Sequence, residues 1–296
     1  MNVSVPGLAG LWDRLGRALF RRVAGPAGPE NRARIHGTPG PRWFGPERPI
    51  RTVHADASMF VGGLRALLLQ TLHPRAMAAV AAHSGYRGDP WGRLQRTSTF
   101  LAVTTFGTAD DAQRAVDRVR AVHERVRGVT RSGEPYHAAD PRLLAWVHIA
   151  EVDSFLTAHQ RYGAHPLDAE GYDAYVADTA RVAAALGVVA PPRDRAELAD
   201  LLAAYRPELR GTREAREAAR FLLLHPPLPW IARAPYAVLA ANAVSTLPRW
   251  AREQLGLPYL PGVERTLVRT AGRVLVRVIR RAMPPPPPTA GTAGTA

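Results

Sequence analysis

Residues 64–128 read LRALLLQTLHPRAMAAVAAHSGYRGDPWGRLQRTSTFLAVTTFGTADDAQRAVDRVRAVHERVRG, and this stretch decides the fold. Asp89-Pro90 is typical of a helix start, with Asp as the N-cap. Thr108 and Asp111 form a capping-box pattern in which Asp replaces the usual Glu or Gln. Alternation of apolar and polar residues, which marks a half-buried strand, never extends beyond a few residues. The stretch therefore predicts an all-α fold.

The same helical patterns continue outside this stretch, and no internal repeat interrupts them. Helices are expected near residues 58–72, 74–83, 91–107, 109–127, 141–162, 168–186, 194–205, 211–224, 231–246 and 262–282. We therefore predict a single large helical domain over residues 58–283. Residues 1–57 are predicted to form a basic amphipathic helix and an extended, irregular arm, because Gly and Pro crowd residues 25–55. The proline-rich residues 284–296 have little to bury and are predicted to form a disordered tail.

Composition excludes several kinds of chemistry. The chain contains no Cys, which rules out disulfides, thiolate-ligated haem, iron–sulfur clusters and Cys-based zinc sites. Lys is absent as well, so Schiff-base chemistry on a lysine is excluded. All 39 basic residues are Arg, and the net charge is +14. Because these arginines are spread along every predicted helix, often beside acids, no nucleic-acid partner is expected.

Two further features concern membranes and location. No run of 18 apolar residues occurs, and the N-terminus lacks the apolar core and cleavage site of a signal peptide, so a cytoplasmic protein is predicted. Residues 265–283 form an amphipathic pattern in which Arg recurs every four residues. That helix either packs its apolar stripe on the core or makes peripheral contact with an anionic membrane. The oligomeric state is left open.

His123 is the first candidate for chemistry. It lies on one seam of the predicted helix 109–127 together with Val116, Val119 and Val126, at spacings of three, four and three residues. An imidazole that faces inward among valines is either a neutral core histidine bonded to a carbonyl or a ligand of a metal or haem iron. Both interpretations stay open at this point.

A second candidate is the group of Arg93, Arg96 and Thr97, which share one face of the predicted helix 91–107. Two guanidinium groups on one face repel each other unless an anion lies between them, and a haem propionate or a bound carboxylate would serve. The small hydroxyl of Thr97 is suited to orienting bound oxygen or water. A solvated helix face is the alternative.

His148 is a further buried-histidine candidate. It continues a stripe formed by Leu144, Val152 and Phe155, and it forms an i, i+3 pair with Glu151. A di-iron site would need two Glu-x-x-His pairs on helices, which the sequence lacks. The motifs of zinc proteases, phosphate-binding loops and serine hydrolases are absent too.

Three blocks resemble a known family in the same order. They read HPRAMAAVAAHSGYRGDPWGRLQRT, FGTADDAQRAVDRVRAVHERVRG and YHAADPRLLAWVHIAEVDS. They are similar to the bacterial oxygenase family of latex-clearing protein and of MpaB from the mycophenolic-acid pathway. The similarity spans about Ser58 to Tyr162 and extends toward Trp250. It implies an all-helical oxygenase-like domain that holds a b-type haem through a histidine.

By this resemblance His123 is the proximal ligand of the iron, with His148 as the fallback. Arg93, Arg96 and Thr97 match a motif next to the haem, where latex-clearing enzymes have Lys at the position of Arg96; the guanidinium keeps the charge but changes the reach. Arg93 and Thr97 are then the catalytic residues and polarise dioxygen. The glutamate base of latex-clearing enzymes is not identified.

The function implied is that of a haem b-dependent oxygenase, which acts on a small apolar substrate, terpenoid- or lipid-like, with dioxygen bound at a histidine-ligated iron. Met77 stands near the place of the glutamate base, which argues against a shared oxidative-cleavage mechanism. Two alternatives remain. One is a non-catalytic helical protein that binds haem or lipid at the membrane surface, and the other is a helical protein that has lost the cofactor.

Overall fold

The computed structural model describes residues 6–83, 85 and 88–283. Its helices are α1 (Pro6–Ala24), α2 (Gly28–Gly37), α3 (Pro49–Ala55), α4 (Met59–Gln70), α5 (Pro74–His83), α6 (Pro90–Phe106), α7 (Ala109–His123), α8 (Pro141–Tyr162), α9 (Ala169–Leu186), α10 (Arg195–Tyr205), α11 (Arg213–Leu224), α12 (Trp230–Thr246), α13 (Arg249–Leu255), α14 (Pro261–Val263) and α15 (Arg269–Ala282). A 3₁₀ turn, Arg206–Glu208, follows α10, and a π turn, Glu264–Val268, precedes α15. Strands β1 (Arg127–Val129) and β2 (Pro135–His137) form an antiparallel hairpin. The all-α prediction is confirmed.

The predicted helix starts are confirmed by their capping bonds. The carboxylate of Asp89 accepts the backbone N–H of Gly92 at 2.8 Å, at the start of α6. The hydroxyl of Thr108 caps α7 at 3.2 Å from the backbone nitrogen of Asp111. The carboxylate of Asp140 caps α8 in the same way. Each cap satisfies a backbone donor that has no partner within the helix.

Helix α8 forms the centre of the fold and packs most closely on α4. The contact depends on Gly62, where an added Cβ would lie 2.9 Å from the ring of Phe155 and 3.1 Å from its Cα. Buried Arg65 links the same two helices, because its guanidinium contacts the carboxylate of Asp153 at 2.7 Å and the hydroxyl of Ser154 at 2.7 Å. The remaining helices pack around this pair.

Helix α7 is shorter than predicted. The pattern predicted a helix to Arg127 that stops at Gly128, but α7 ends at His123 and the chain enters β1. The strand pairs Gly128 with Tyr136, and the backbone nitrogen of Ala138 donates to the carbonyl of Val126 at 2.9 Å. These bonds to a segment ten residues away replace the helical bonds, and local sequence does not reveal them.

The arm over residues 25–55 is also more regular than predicted. It contains α2 and α3, and both have Pro in the first helical turn. Proline favours that position because its missing N–H would lack a helical partner anyway, so prolines that read as breakers are helix starts here. Residues 38–48 are irregular, and the carbonyl of Pro41 accepts the backbone N–H of Ala109 at 2.7 Å. The predicted disordered tail, 284–296, lies outside the described residues.

Candidate functional site

Chain connections bring three helix ends together. Gly107 and Thr108 join α6 to α7 through a very short turn, and the two helices pack against each other. Helices joined in this way run antiparallel, so the start of α6 lies beside the end of α7. The β hairpin returns the chain from the end of α7 to the start of α8. The first half of α6 and the last turn of α7 therefore lie at one end of the bundle, and the hairpin bonds bring the start of α8 near the end of α7.

One face of α6 lines this end. Arg93, Thr97, Leu101 and Thr105 follow at intervals of four residues and therefore share a face that drifts slowly around the helix. Thr105 is buried, Leu101 is partly buried and Thr97 is exposed. This face of α6 is thus buried near Thr105 and becomes exposed to solvent toward the start of the helix.

At the buried end of this α6 face, near Thr105, polar side chains bond to one another. The Nδ1 atom of His54 lies 2.8 Å from the hydroxyl of Thr105, and its Nε2 atom lies 3.2 Å from the hydroxyl of Tyr175. The ring of Phe155 meets His54 edge to face, with 5.6 Å between centroids. Burial, with a smaller effect of nearby His159, lowers the pKa of His54 to about 3, so this imidazole is neutral. The sequence did not single out this group.

Helix α8 contributes His148 and Glu151, one turn apart. Burial lowers the pKa of His148 to about 4, and burial raises the pKa of Glu151 to about 7. Both side chains nevertheless keep some accessible surface. The two titratable groups are therefore desolvated, although their residues are not fully buried. The Nε2 atom of His148 is buried and has no hydrogen-bond partner among the described residues.

His123 is the last residue of α7 and is partly buried. Burial, opposed by Glu124 and assisted by His137, lowers the pKa of its imidazole, so the ring is neutral near pH 7. Its Nδ1 atom is buried without a hydrogen-bond partner in the part of the chain that the structure describes. Val116 is fully buried, whereas Val122 beside His123 is 48% exposed. The His123 ring therefore lies at the boundary between the apolar interior and the exposed surface.

The arginines of α6 differ in their surroundings. Arg93 is partly buried, whereas Arg96 is exposed and lies 3.5 Å from the carboxylate of Asp89. An acid thus already lies beside Arg96, as on a solvated helix face. Thr97 is exposed on the same side as Arg93. Arg93, Thr97 and His123 belong to elements that meet at the same end of the bundle.

Other histidines have unpaired ring nitrogens too, and accessibility separates them from the candidates. His159 has both ring nitrogens buried without hydrogen bonds among the described residues, and the Nε2 atom of His73 lies 3.5 Å from the carboxylate of Glu208, but only 1% and 3% of their surfaces are exposed. A ligand cannot reach rings that are sealed in this way. His159 continues the stripe of His148 and Phe155 by one further step, so the spacing on α8 could have revealed it. His36 of α2 is partly exposed and has an unpaired Nδ1, but its ring packs on Phe106.

Within the described residues, no group of three or more His, Cys, Asp or Glu side chains is arranged to hold a metal ion. The described helices also include none that is long and apolar enough to cross a bilayer.

Comparison with known proteins adds the family. Residues 51–281 match the model of the catalytic domain described as ER-bound oxygenase mpaB/B'/rubber oxygenase. The chain belongs to this oxygenase family. The resemblance seen in the three sequence blocks is thereby confirmed. His36 lies outside the matched region, whereas His54, His123 and His148 lie inside it.

Relatives of this oxygenase-family chain include uncharacterized proteins from Mycobacterium bovis (strain ATCC BAA-935 / AF2122/97) and Mycobacterium tuberculosis (strain ATCC 25618 / H37Rv). Each is 35% identical over 100 residues, which cover 33% of this chain and 38% of the relative. The chain therefore aligns with little more than a third of their length. No solved structure matches.

Proposed function

We propose that this chain is a haem b-dependent oxygenase that acts on an apolar, terpenoid- or lipid-like substrate. The observation that carries the haem part is the state of His123 and His148. Both rings are neutral, both have a buried nitrogen without a hydrogen bond among the described residues, and both residues keep some accessible surface. An unpaired buried nitrogen costs roughly 1–3 kcal/mol, and a neutral imidazole is what haem iron binds. The residues present therefore fit the cofactor.

We assign His123 as the iron ligand and His148 as the fallback. His123 lies in the last turn of α7, beside the start of α6 that carries Arg93 and Arg96. Two guanidinium groups at that position could bind the propionates of a haem, in which case Arg96 exchanges its exposed contact with Asp89 for a propionate. When bound, the haem supplies the centre at which dioxygen is activated.

The chain's own residues would prepare the pocket around that centre. The hydroxyl of Thr97 and the guanidinium of Arg93 can donate hydrogen bonds to an oxygen species. Glu151, with a pKa of about 7, can hold or release a proton near neutral pH, and it is an alternative to the base that the sequence could not identify. Leu101 and Leu144 are partly buried and provide apolar walls that favour a hydrophobic substrate.

A second candidate function is a non-catalytic protein that carries haem or lipid at a membrane surface. Helix α15 and the turn before it favour this alternative, because Leu267 is 69% exposed and Val274 is 55% exposed. Arg273 and Arg277 are exposed beside them and have no ion pair among the described residues. Contact of residues 265–283 with an anionic membrane is compatible with both candidate functions.

The test is haem reconstitution followed by absorption spectroscopy. Wild type and the exposed control His225→Ala are expected to give a Soret band, and His123→Ala is expected to lose it and to regain it when free imidazole is added. Loss of the band only in His148→Ala would move the ligand to α8. A wild type that binds no haem refutes the haem proposal. Oxygen consumption with an unsaturated lipid or a terpenoid then separates an oxygenase from a carrier.

A further inference from the structure

The segment between α11 and α12 exposes apolar side chains. Leu224 ends α11 with 70% of its surface exposed, and Trp230 and Ile231 begin α12 with 81% and 70% exposed. We name residues 224–231 the apolar segment. Its sequence, LHPPLPWI, contains no Arg, Lys, Asp or Glu. Large exposed apolar groups that lie close together mark an interaction surface.

The apolar segment lies beside the candidate site. The indole nitrogen of Trp91 donates to the carbonyl oxygen of Pro227 at 3.3 Å. Trp91 is in the first turn of α6, two residues before Arg93. The guanidinium of Arg22, near the end of α1, lies 4.6 Å from the centroid of the Trp91 ring. The apolar segment is thus held against the first turn of α6, where the face that carries Arg93 is exposed.

The charged residues nearest the apolar segment in the sequence are all basic. No Asp or Glu occurs between Glu217 and Glu253 in the sequence. Arg220 and Arg233 flank the segment, are exposed and have no ion pair within the described part of the chain. The chain as a whole carries a net charge of +14. This charge complements anionic lipid head groups and does not favour a basic protein partner.

We propose that the apolar segment docks on an anionic lipid bilayer and admits a membrane-dissolved substrate to the site beside Arg93. Trp favours the boundary between head groups and acyl chains, where its ring is apolar and its N–H is solvated. Apolar side chains with adjacent arginines bind that boundary by burial and by electrostatic attraction together. The inference rests on the proposed function for its substrate class, because an apolar substrate partitions into bilayers.

Vesicle co-sedimentation tests the docking, with phosphatidylcholine vesicles prepared with and without phosphatidylglycerol. The double variant Trp230→Ser/Ile231→Ser should bind the anionic vesicles roughly tenfold more weakly than wild type. The control is Val189→Ser, which removes an apolar side chain that is 73% exposed after α9 and should bind as wild type does. Arg233→Gln should weaken binding to anionic vesicles only. Equal binding by wild type and the double variant overturns the docking proposal, and equal wild-type binding to both kinds of vesicle overturns its electrostatic part.

The second measurement concerns substrate delivery. Haem-loaded protein is given the same apolar substrate in vesicles or in detergent micelles, and oxygen consumption is followed. The double variant should be slower than wild type with vesicles and equal to it with micelles. Equal rates with vesicles overturn the delivery role. Vesicle binding needs no haem, so a failure of haem binding and a failure of docking are observed separately.

Discussion

Replacing Glu151 by Gln should stabilise the protein, and the gain should depend on pH. Burial raises the pKa of the Glu151 carboxyl on α8 from 4.5 to about 7. Below pH 4.5 the group is protonated in the folded and the unfolded protein alike. Between pH 4.5 and about 7 the unfolded chain has released the proton while the folded protein still holds it, and above that range both have released it. The free energy of unfolding therefore falls across this window. The amide of Gln has nearly the same shape and does not titrate.

The size of the effect follows from the two pKa values. A difference of about 2.5 pKa units at 1.36 kcal/mol per unit gives an upper limit of about 3 kcal/mol. Glu151 keeps some accessible surface, so solvent screens part of this penalty. We expect Glu151→Gln to be more stable than wild type by roughly 2 kcal/mol above neutral pH, with a much smaller difference in acid.

Urea unfolding followed by circular dichroism measures this effect, at about pH 4 and about pH 8.5, on protein without added haem. Glu47→Gln is the matched control, because Glu47 is exposed and has no ion pair in the described region. The control should show no pH-dependent gain. If Glu151→Gln has the same advantage at both pH values, or none at alkaline pH, the carboxyl is not desolvated in the folded protein and the reasoning fails. If Glu151 transfers a proton during turnover, the stabilised variant should also consume oxygen more slowly.

Three further tests address packing and polar contacts, each by urea unfolding. Gly62→Ala should cost about 2 kcal/mol or more, since the new Cβ would lie 3.1 Å from a backbone atom of α8. Gly63→Ala, where nothing lies within 4 Å, should gain about 0.5–1 kcal/mol; equal midpoints for the two variants would contradict the close contact of α4 and α8. Asp56→Asn should cost about 3 kcal/mol, because Arg280 loses both charged contacts, at 2.9 and 3.0 Å; wild-type stability in this variant would show that the pair contributes nothing. Thr108→Ala should cost about 1 kcal/mol through loss of its cap, and an unchanged midpoint would show that the capping bond is not formed.

The sequence predicted those parts of the fold that depend on neighbouring residues. Asp89, Thr108 and Asp140 cap helices through backbone groups two or three residues away, so their patterns are visible in the sequence. The end of α7 depends on pairing between β1 and β2, which the helical pattern over 109–127 hides. The helices α2 and α3 were missed for another reason, because a proline in the first turn of a helix looks the same as a proline that ends one.

The candidate site shows the same division. Helical spacing was sufficient to predict that Arg93 and Thr97 share a helix face and that His148 faces the interior. It could not show that His54 of α3 bonds to Thr105, because that bond joins residues 51 positions apart.

The choice between His123 and His148 depends on the same kind of non-local contact. Each ring is neutral because surrounding protein excludes water from it, and each has a nitrogen that no described group satisfies. His54 differs from them, because both of its ring nitrogens have hydrogen-bond partners within the protein and leave no nitrogen for a ligand. At both His123 and His148 the unpaired nitrogen is buried although the residue keeps some accessible surface, which separates them from the sealed ring of His159. A ligand that binds there removes the cost of the unpaired nitrogens, which is why haem binding should raise the unfolding midpoint of wild type more than that of His123→Ala.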